Sequence, residues 1–243
     1  MRNQKTLLFS LCLLLLDSAH AELISIIGFS LGAKNTANAK NEIVNFTVDE
    51  FGSDVINAYV PNKNSKRKFT GNIHGGFLFQ SPSPKIKLTT ELAFYFPQTR
   101  SFTGQVWEAG IPDFDNFTYS YNVSSRQLMF ESRIIYPQAS WLPYVSVGIG
   151  PSWNKAYAYQ EYPNNETAIS LKGNFPSNTN TTFAYEAGAG LGYTYKKLLV
   201  AFEYKYQILG DAQFGLYSFQ TNNNRLNSRL RTNQFLVNLS YLI

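Results

Sequence analysis

The sequence has little of what many folds and active sites require. Its 243 residues contain one cysteine and two histidines, and only 15% are charged, against about 25% in ordinary soluble domains. Disordered chains and coiled coils depend on charge-rich compositions, so this chain, at 44% hydrophobic residues, is predicted to be neither. A single cysteine also excludes an internal disulfide framework.

The first 21 residues have the pattern of a secretory signal peptide. A basic start precedes an apolar stretch at 7–16, and small residues at 19–21 form a cleavage site. The stretch is too short to cross a bilayer, which takes about 20 residues. We therefore expect residues 1–21 to be a signal peptide and residues 22–243 to form one mature domain without cysteine.

Beyond residue 21, apolar and polar side chains alternate with a period of two, which is the signature of β-strands. In each of eight such runs, one face is apolar and the other carries polar side chains or glycine. The runs are 23–33, 69–80, 85–96, 127–136, 144–150, 183–193, 198–207 and 234–243. No stretch reaches the length of a transmembrane helix.

The connections between runs alternate between long and short. Four span about 26–34 residues and three span about 4–7, as in barrels with long outer loops and tight periplasmic turns. Backbone groups in lipid must all pair, so the sheet must close. We predict a closed antiparallel up-and-down transmembrane β-barrel of eight strands. A barrel of ten strands stays open as an alternative, because residues 117–123 and 214–219 are also strand-like. The exposed apolar faces disfavour a soluble sandwich or barrel.

The polar faces predict a filled interior, because side chains can fill an eight-stranded barrel. Seven charged or titratable residues have the parity that points them inward. They are His74, Glu91, Glu131, Arg133, Glu186, Glu203 and Lys205. The register that we expect places Glu186 opposite Lys205 and His74 opposite Glu91. These pairs predict a polar plug rather than an open channel.

A search for catalytic or ligand-binding motifs finds little. His74 is the only histidine after the signal peptide, and its parity directs it away from lipid, where a lipid-modifying enzyme would need it. Gly188, Gly190 and Gly192 alternate within a strand, so they are packing glycines rather than a phosphate-binding loop. We expect no enzyme, no cofactor, no metal site and no nucleic-acid partner.

One basic cluster precedes the second run, at the outer rim of the predicted barrel. It consists of Lys63, Lys66, Arg67 and Lys68. Clustered cations suit the phosphates of lipopolysaccharide, so we expect contact with that lipid. A solvated loop is the alternative.

Three parts of the chain resemble a known family. They are Leu-Pro-Tyr-Val-Ser-Val-Gly-Ile-Gly at 142–150, the pair of segments 183–193 and 202–206, and the final strand 235–243. They resemble the small eight-stranded outer-membrane barrels of Gram-negative bacteria, the opacity-protein and outer-membrane-protein-A-like surface antigens. In that family, the barrel-assembly machinery reads the final strand. Its outward residues here are Phe235, Val237, Leu239, Tyr241 and Ile243, and Ile243 departs from the family's usual terminal aromatic.

The resemblance implies an outer-membrane location in contact with lipid and lipopolysaccharide. It further implies a monomeric surface antigen or adhesin-like protein that meets host or other cells through its loops. Two alternatives remain at this point: a small-solute porin and an outer-membrane lipid-modifying enzyme.

Overall fold

Over the residues that it describes, the computed structural model of the chain contains ten β-strands and two short 3₁₀ turns, Glu108–Gly110 and Pro112–Phe114. The residues that it describes are 22–38, 44–50, 53–62, 67–80, 86–164, 174–217 and 222–243. The predicted signal peptide therefore lies outside the described residues. Within these ranges, no helix is long and apolar enough to cross a bilayer. The strands are β1 (Glu22–Asn38), β2 (Val44–Glu50), β3 (Ser53–Pro61), β4 (Arg67–Gln80), β5 (Lys87–Trp107), β6 (Asp115–Ile135), β7 (Trp141–Pro163), β8 (Asn178–Tyr195), β9 (Leu198–Gln213) and β10 (Asn227–Leu242).

Eight of the strands close into an antiparallel ring, which confirms the predicted barrel. β1 pairs with both β4 and β10, β5 pairs with β4 and β6, and the remaining strands pair in chain order. The other two, β2 and β3, form a hairpin that pairs with the outer part of β5. Residues 117–123 extend β6, whereas the described residues of 214–219, at 214–217, are not strand.

The two faces of the ring have opposite character, as the alternation predicts. Large apolar side chains point outward, with Phe69, Phe202 and Phe235 between 65% and 70% exposed. The neighbouring inward positions carry buried polar side chains, such as Gln234 beside Phe235. This arrangement inverts that of a soluble protein and matches an apolar band around a polar lumen.

The strands continue beyond the predicted runs at their outer ends. β7 has 23 residues, whereas a tilted membrane crossing takes about 9–11. In this upper part, the interior changes from polar to aromatic, and ring centroids lie 4.9–6.2 Å apart. The rings of this outer aromatic core belong to Tyr59, Phe102, Tyr119, Tyr121, Tyr159, Phe175, Phe214 and Tyr217.

The hairpin between β8 and β9 shows that the predicted register is wrong by two residues. Its two-residue turn is 196–197, where Lys196 adopts a φ of 55°, as tight hairpin turns require. The predicted register centres this turn one residue earlier. Because a slip of two keeps every side chain on its face, the interior residues are unchanged, but Glu186 lies opposite Gln207 rather than Lys205.

The hairpin between β4 and β5 departs from prediction in the same way. Phe79 pairs with Leu88 rather than with Ile86, so this register is also shifted by two residues. As a result, His74 lies opposite Ala93 rather than Glu91. Inward parity is again preserved, so both side chains still enter the lumen.

Candidate functional site

The seven side chains predicted to face inward all lie in the barrel interior, and the structure brings them together in a single layer. Each is at most 6% exposed. Because the residues of this interior charge network come from β4, β5, β6, β8 and β9, the network crosses the lumen instead of following one wall.

Lys205 lies at the centre of this network. Its Nζ donates hydrogen bonds to Glu131 Oε2 at 2.5 Å, to Glu186 Oε1 at 3.1 Å and to the Tyr95 hydroxyl at 3.0 Å. Tyr95 in turn donates to Glu131 Oε1 at 2.9 Å. Despite the two-residue slip, Lys205 therefore reaches Glu186 diagonally, and Tyr95 is a member that the sequence analysis missed.

Arg133 is the second cation of the network. Its Nη1 donates to Glu91 Oε1 at 2.7 Å, and its Nη2 lies 3.5 Å from Glu131 Oε2 and 4.0 Å from Glu203 Oε2. Glu203 also accepts a hydrogen bond from Asn238 at 2.8 Å. Four carboxylates thus share two permanent cations, so loss of either cation would leave buried carboxylates without compensation.

A neutral layer lies on the outer side of the charge network. Its amide and hydroxyl side chains are each at most 7% exposed, and they are Ser125, Gln127, Ser152, Asn154, Gln207, Thr232 and Gln234. Gln207 joins the two layers, since its Nε2 donates to Glu186 Oε2 at 2.6 Å and its Oε1 accepts from Thr232 at 3.2 Å. The lumen is therefore filled by bonded polar groups over both layers.

His74 does not pair with Glu91 through a hydrogen bond, because its Nε2 lies 3.7 Å from Glu91 Oε2. Instead, Nε2 lies 2.9 Å from Ser240 Oγ, and Nδ1 lies 3.2 Å from Asn72 Oδ1. Serine, histidine and amide in this order resemble a nucleophilic relay. A Cβ placed on Gly28 would meet His74 Nε2 at 2.5 Å and Ser240 Oγ at 2.7 Å, so the backbone of β1 packs closely against both side chains.

The described residues offer no metal site, since no three His, Cys, Asp or Glu side chains among them are arranged to hold an ion. The four carboxylates of the charge network are instead bonded to cations, hydroxyls and amides. Their arrangement is that of a structural network.

The outer aromatic core closes the barrel above the membrane. Within it, Tyr59 and Tyr159 both donate hydrogen bonds to Glu161 Oε1, the first at 2.8 Å. Burial raises the pKa of both phenols well above the usual value, and the charge of Glu161 raises it further. These tyrosines thus stay protonated and bonded across the physiological pH range.

The outermost tips of the barrel expose apolar side chains to solvent. Ile111 and Phe114 lie on the β5–β6 connection and are 42% and 49% exposed, while Tyr162 at the end of β7 is 52% exposed. Asn164 Nδ2 donates to the carbonyl of Asp115 at 2.9 Å, which joins this end of β7 to the start of β6. We call Ile111, Phe114 and Tyr162 the tip patch. Exposed apolar side chains at the outer end of the barrel are candidates for an interaction surface.

The predicted basic cluster is described in part. Arg67 and Lys68 are exposed at the start of β4, whereas Lys63 and Lys66 lie outside the described residues.

The sequence analysis missed a second basic surface on the outward face of β6 and β7. There, two exposed cations lie over aromatic rings, Arg126 over Trp153 at 5.8 Å and Lys155 over Tyr157 at 5.3 Å.

The outward residues of the final strand lie on the lipid-facing side of β10. Phe235, Val237, Tyr241 and Ile243 are 44–68% exposed, and Leu239 is partly buried. The backbone N–H of Ile243 donates to the carbonyl of Ser25 at 2.9 Å, which ties the chain end to β1.

A family comparison explains this architecture. Residues 23–242 match the family described as the outer membrane protein beta-barrel domain, which is nearly the whole described structure. The chain belongs to this family. This outer membrane barrel therefore resides in the outer membrane of a Gram-negative bacterium, where its apolar belt contacts lipid.

Several solved structures are similar to this outer membrane barrel. Neisserial surface protein A is 7% identical, with a TM-score of 0.47, and the match covers 89% of this chain and 96% of that one. The attachment invasion locus protein of Yersinia pestis, solved with the heparin analogue sucrose octasulfate, is 13% identical, with a TM-score of 0.38 and coverage of 90% and 99%. The outer membrane protease OmpT from Escherichia coli is 10% identical, with a TM-score of 0.43 and coverage of 93% and 100%. No curated protein matches the sequence.

Proposed function

We propose that this outer membrane barrel is a non-conducting surface protein, of the antigen or adhesin type, whose outer end binds a ligand on host or neighbouring cells. The observation that carries the proposal is that the lumen is filled at two levels. The charge network and its neutral layer fill the membrane part, and the outer aromatic core fills the part above it. A barrel filled in this way acts through its surface rather than through its interior.

Planar-bilayer recording of the purified barrel tests the first half of this proposal. We expect no steady conductance at neutral pH, because the interior side chains are bonded across the lumen. Steady channels in the wild-type protein would instead support the alternative function of a small-solute porin.

The tip patch supports the second half, because exposed apolar side chains at the outer tips are costly unless they meet a partner. We expect that Ile111→Ser combined with Phe114→Ser lowers adhesion of expressing cells to host cells. Leu216→Ser is the matched control, since Leu216 is 40% exposed but follows β9 rather than β5. Equal adhesion of the patch variant and the wild type, at equal surface density, would remove the tip patch from the proposal.

Lipopolysaccharide is the proposed lipid partner of both basic surfaces. Arg126 and Lys155 support it because their charged groups lie over aromatic rings on the outward face and both residues stay exposed, as suits a phosphate at the membrane rim. We expect that Arg126→Gln with Lys155→Gln reduces the lipopolysaccharide that copurifies with the barrel, measured as phosphate per protein. Neutralising Lys63, Lys66, Arg67 and Lys68 in a separate variant tests the predicted cluster, and an unchanged phosphate content in either variant would argue that its cations are only solvated.

Three further expectations remain proposals. The barrel-assembly machinery is proposed to read β10, so Ile243→Phe, which restores the usual aromatic end, is expected to raise assembly yield and Tyr241→Ser to lower it. The protein is proposed to be monomeric, which light scattering in detergent would check. Residues 1–21 are proposed to be cleaved, so N-terminal sequencing of the membrane form should begin at Glu22.

We propose no enzymatic activity, because His74 is only 4% exposed and its strand parity points it into the lumen, away from the lipid that such an enzyme would modify. Lipid A composition tests this statement directly. A deletion strain with altered lipid A that the His74→Ala variant fails to restore would support the lipid-modifying enzyme instead.

A further inference from the structure

An apolar groove crosses the lipid-facing side of the ring. Its volume is about 650 Å³, which lies within the range of about 300–1,000 Å³ for small-molecule sites. Outward side chains of six strands, β9, β10, β1, β4, β5 and β6, line it. Among them are Leu198, Tyr241, Ile27, Leu92 and Leu128. We call this feature the outward groove.

Gly75 lines the outward groove without contributing a side chain. Ile73 and Phe77, two residues before and after it, are 52% and 44% exposed on the outward face, so Gly75 shares their outward parity. A Cβ placed on Gly75 would meet only the carbonyl oxygen of Ile26, at 3.5 Å. At every other glycine of the described strands, the added Cβ would come within 3.1 Å of a neighbour.

The packing of the sheet therefore does not require a glycine at position 75. A glycine inside a strand weakens the strand, and it often marks a place that a ligand approaches closely. Gly75 pairs with Ile27 on one side and with Leu92 on the other, and both of these side chains line the groove. The glycine thus leaves a gap between two apolar side chains, on a surface that faces hydrocarbon.

The outward groove rises from the periplasmic rim toward the middle of the bilayer. At one end, Leu198 directly follows the two-residue turn 196–197, and short turns of such barrels lie on the periplasmic side. At the other end, Leu128 lies seven residues before the end of β6 at Ile135. Seven residues span about 23 Å of strand, so this end lies well inside the hydrocarbon layer.

Two exposed lysines lie at the periplasmic end of the groove. Lys197 Nζ lies 5.9 Å from the centroid of the Tyr241 ring, and Tyr241 lines the groove. Lys196 precedes it in the same turn. Within the described part of the chain, Lys197 forms no ion pair. Lysines at a membrane surface attract anionic headgroups.

We propose that the outward groove binds one phospholipid of the periplasmic leaflet, with an acyl chain over Gly75 and the phosphate at Lys197. In the outer membrane, lipopolysaccharide occupies the other leaflet, so a lipid that enters from the periplasmic rim is a glycerophospholipid. Its acyl chains run from the rim toward the middle of the bilayer, which is the course of the groove. The proposal depends on the outer-membrane location and not on the proposed surface function.

Native mass spectrometry of the full mature barrel in uncharged detergent tests the proposal, with dimyristoyl-phosphatidylglycerol as the probe. We expect the wild type to retain one lipid molecule. Gly75→Leu fills the gap and should weaken retention by at least about tenfold. Ala189→Leu is the matched control, because it adds the same side chain to the outward face of β8, outside the groove, and should leave retention unchanged.

A second titration separates the headgroup contact from the acyl-chain contact. Dimyristoyl-phosphatidylcholine has the same acyl chains and a zwitterionic headgroup. We expect Lys197→Gln to weaken retention of phosphatidylglycerol about fivefold and to leave that of phosphatidylcholine nearly unchanged, whereas Gly75→Leu should weaken both. Lys155→Gln, which removes an exposed cation near the opposite rim, should change neither.

A crystal of the wild-type barrel grown with phosphatidylglycerol brominated in its acyl chains keeps the proposal testable if Gly75→Leu fails to fold. We expect an anomalous peak beside Gly75. Bromine spread evenly around the belt, or equal retention of phosphatidylglycerol by the wild type and Gly75→Leu, would overturn the proposal. So would a wild-type dimer that Gly75→Leu converts to monomers, because a second copy would then occupy the groove.

Discussion

Replacing Lys205 by methionine is the sharpest test of the charge network. The lysine Nζ is surrounded by three carboxylates, from Glu131, Glu186 and Glu203, at 2.5, 3.1 and 3.7 Å. The side chain is 1% exposed, so water cannot replace the lost charge. Removing one partner from a buried ion pair costs about 3–5 kcal/mol. We expect a loss of that size, since methionine keeps most of the volume and removes only the charge.

A second substitution distinguishes the lost charge from a packing defect. Glu186→Gln removes one carboxylate, and its oxygen can still accept the hydrogen bond from Gln207. In the Lys205→Met background, it should therefore recover part of the loss, with a coupling energy of about 0.5–3 kcal/mol. Lys155→Met is the matched control, and as a change at an exposed cation it should cost under about 1 kcal/mol.

The assay is equilibrium unfolding by urea of barrels refolded into lipid vesicles, followed by tryptophan fluorescence. The wild type, the two single variants and the double variant are compared with Lys155→Met at one pH. A loss for Lys205→Met no larger than that of the control would refute the reasoning, as would additive effects of the two interior substitutions.

Three other predictions concern the outer core and the closure of the ring. Phe214→Ala should destabilise the outer aromatic core by about 3–5 kcal/mol, seen as faster proteolysis of the outer segments, and unchanged proteolysis would contradict the packing. Because burial raises the pKa of Tyr59 and Tyr159, their contribution to stability is constant below about pH 10 and falls as the pH rises further. Tyrosinate absorbance should show one class of tyrosines that ionises only when the outer aromatic core opens. A single transition of all tyrosines near pH 10 would argue against the raised pKa values. Leu31→Cys with Val237→Cys, which face each other across β1 and β10, should form a disulfide, whereas Leu31→Cys with Phe235→Cys should not.

The alternation of the sequence predicts the membrane part of the fold well, because the side-chain period of a strand is two and holds wherever a ladder is regular. The inward positions of Glu131, Glu186 and Lys205 follow from parity alone. Even the two-residue slip of β8 against β9 leaves each on its face. Parity does not identify the contact partner of an inward side chain, because the partner depends on the register. The register depends on where the turn is centred, and here the left-handed backbone of Lys196 sets the position of the turn.

Parity fails where β-bulges interrupt the ladders. In β5, the pairing shifts between Tyr95 and Gln98, and the extra residue turns Arg100 into the lumen, although uninterrupted alternation would point it outward. A similar shift in the pairing of β9 with β10 accompanies Gly210, whose φ is +79°. The buried Lys34 escaped notice for a simpler reason, because it follows the last residue of the first run.

The interior of the barrel is built in layers, with the charge network lowest, the neutral layer above it and the outer aromatic core at the top. The charge network holds four carboxylates and two permanent cations, and the neutral layer lies between this network and the outer aromatic core. Gln207 bonds to Glu186 on one side and to Thr232 on the other, so it links the layers through neutral groups. Each level of the lumen is therefore held by its own bonds. Loss of Lys205 would weaken the lower level and leave the rings around Phe214 in place, so opening a path through the barrel requires changes at both levels.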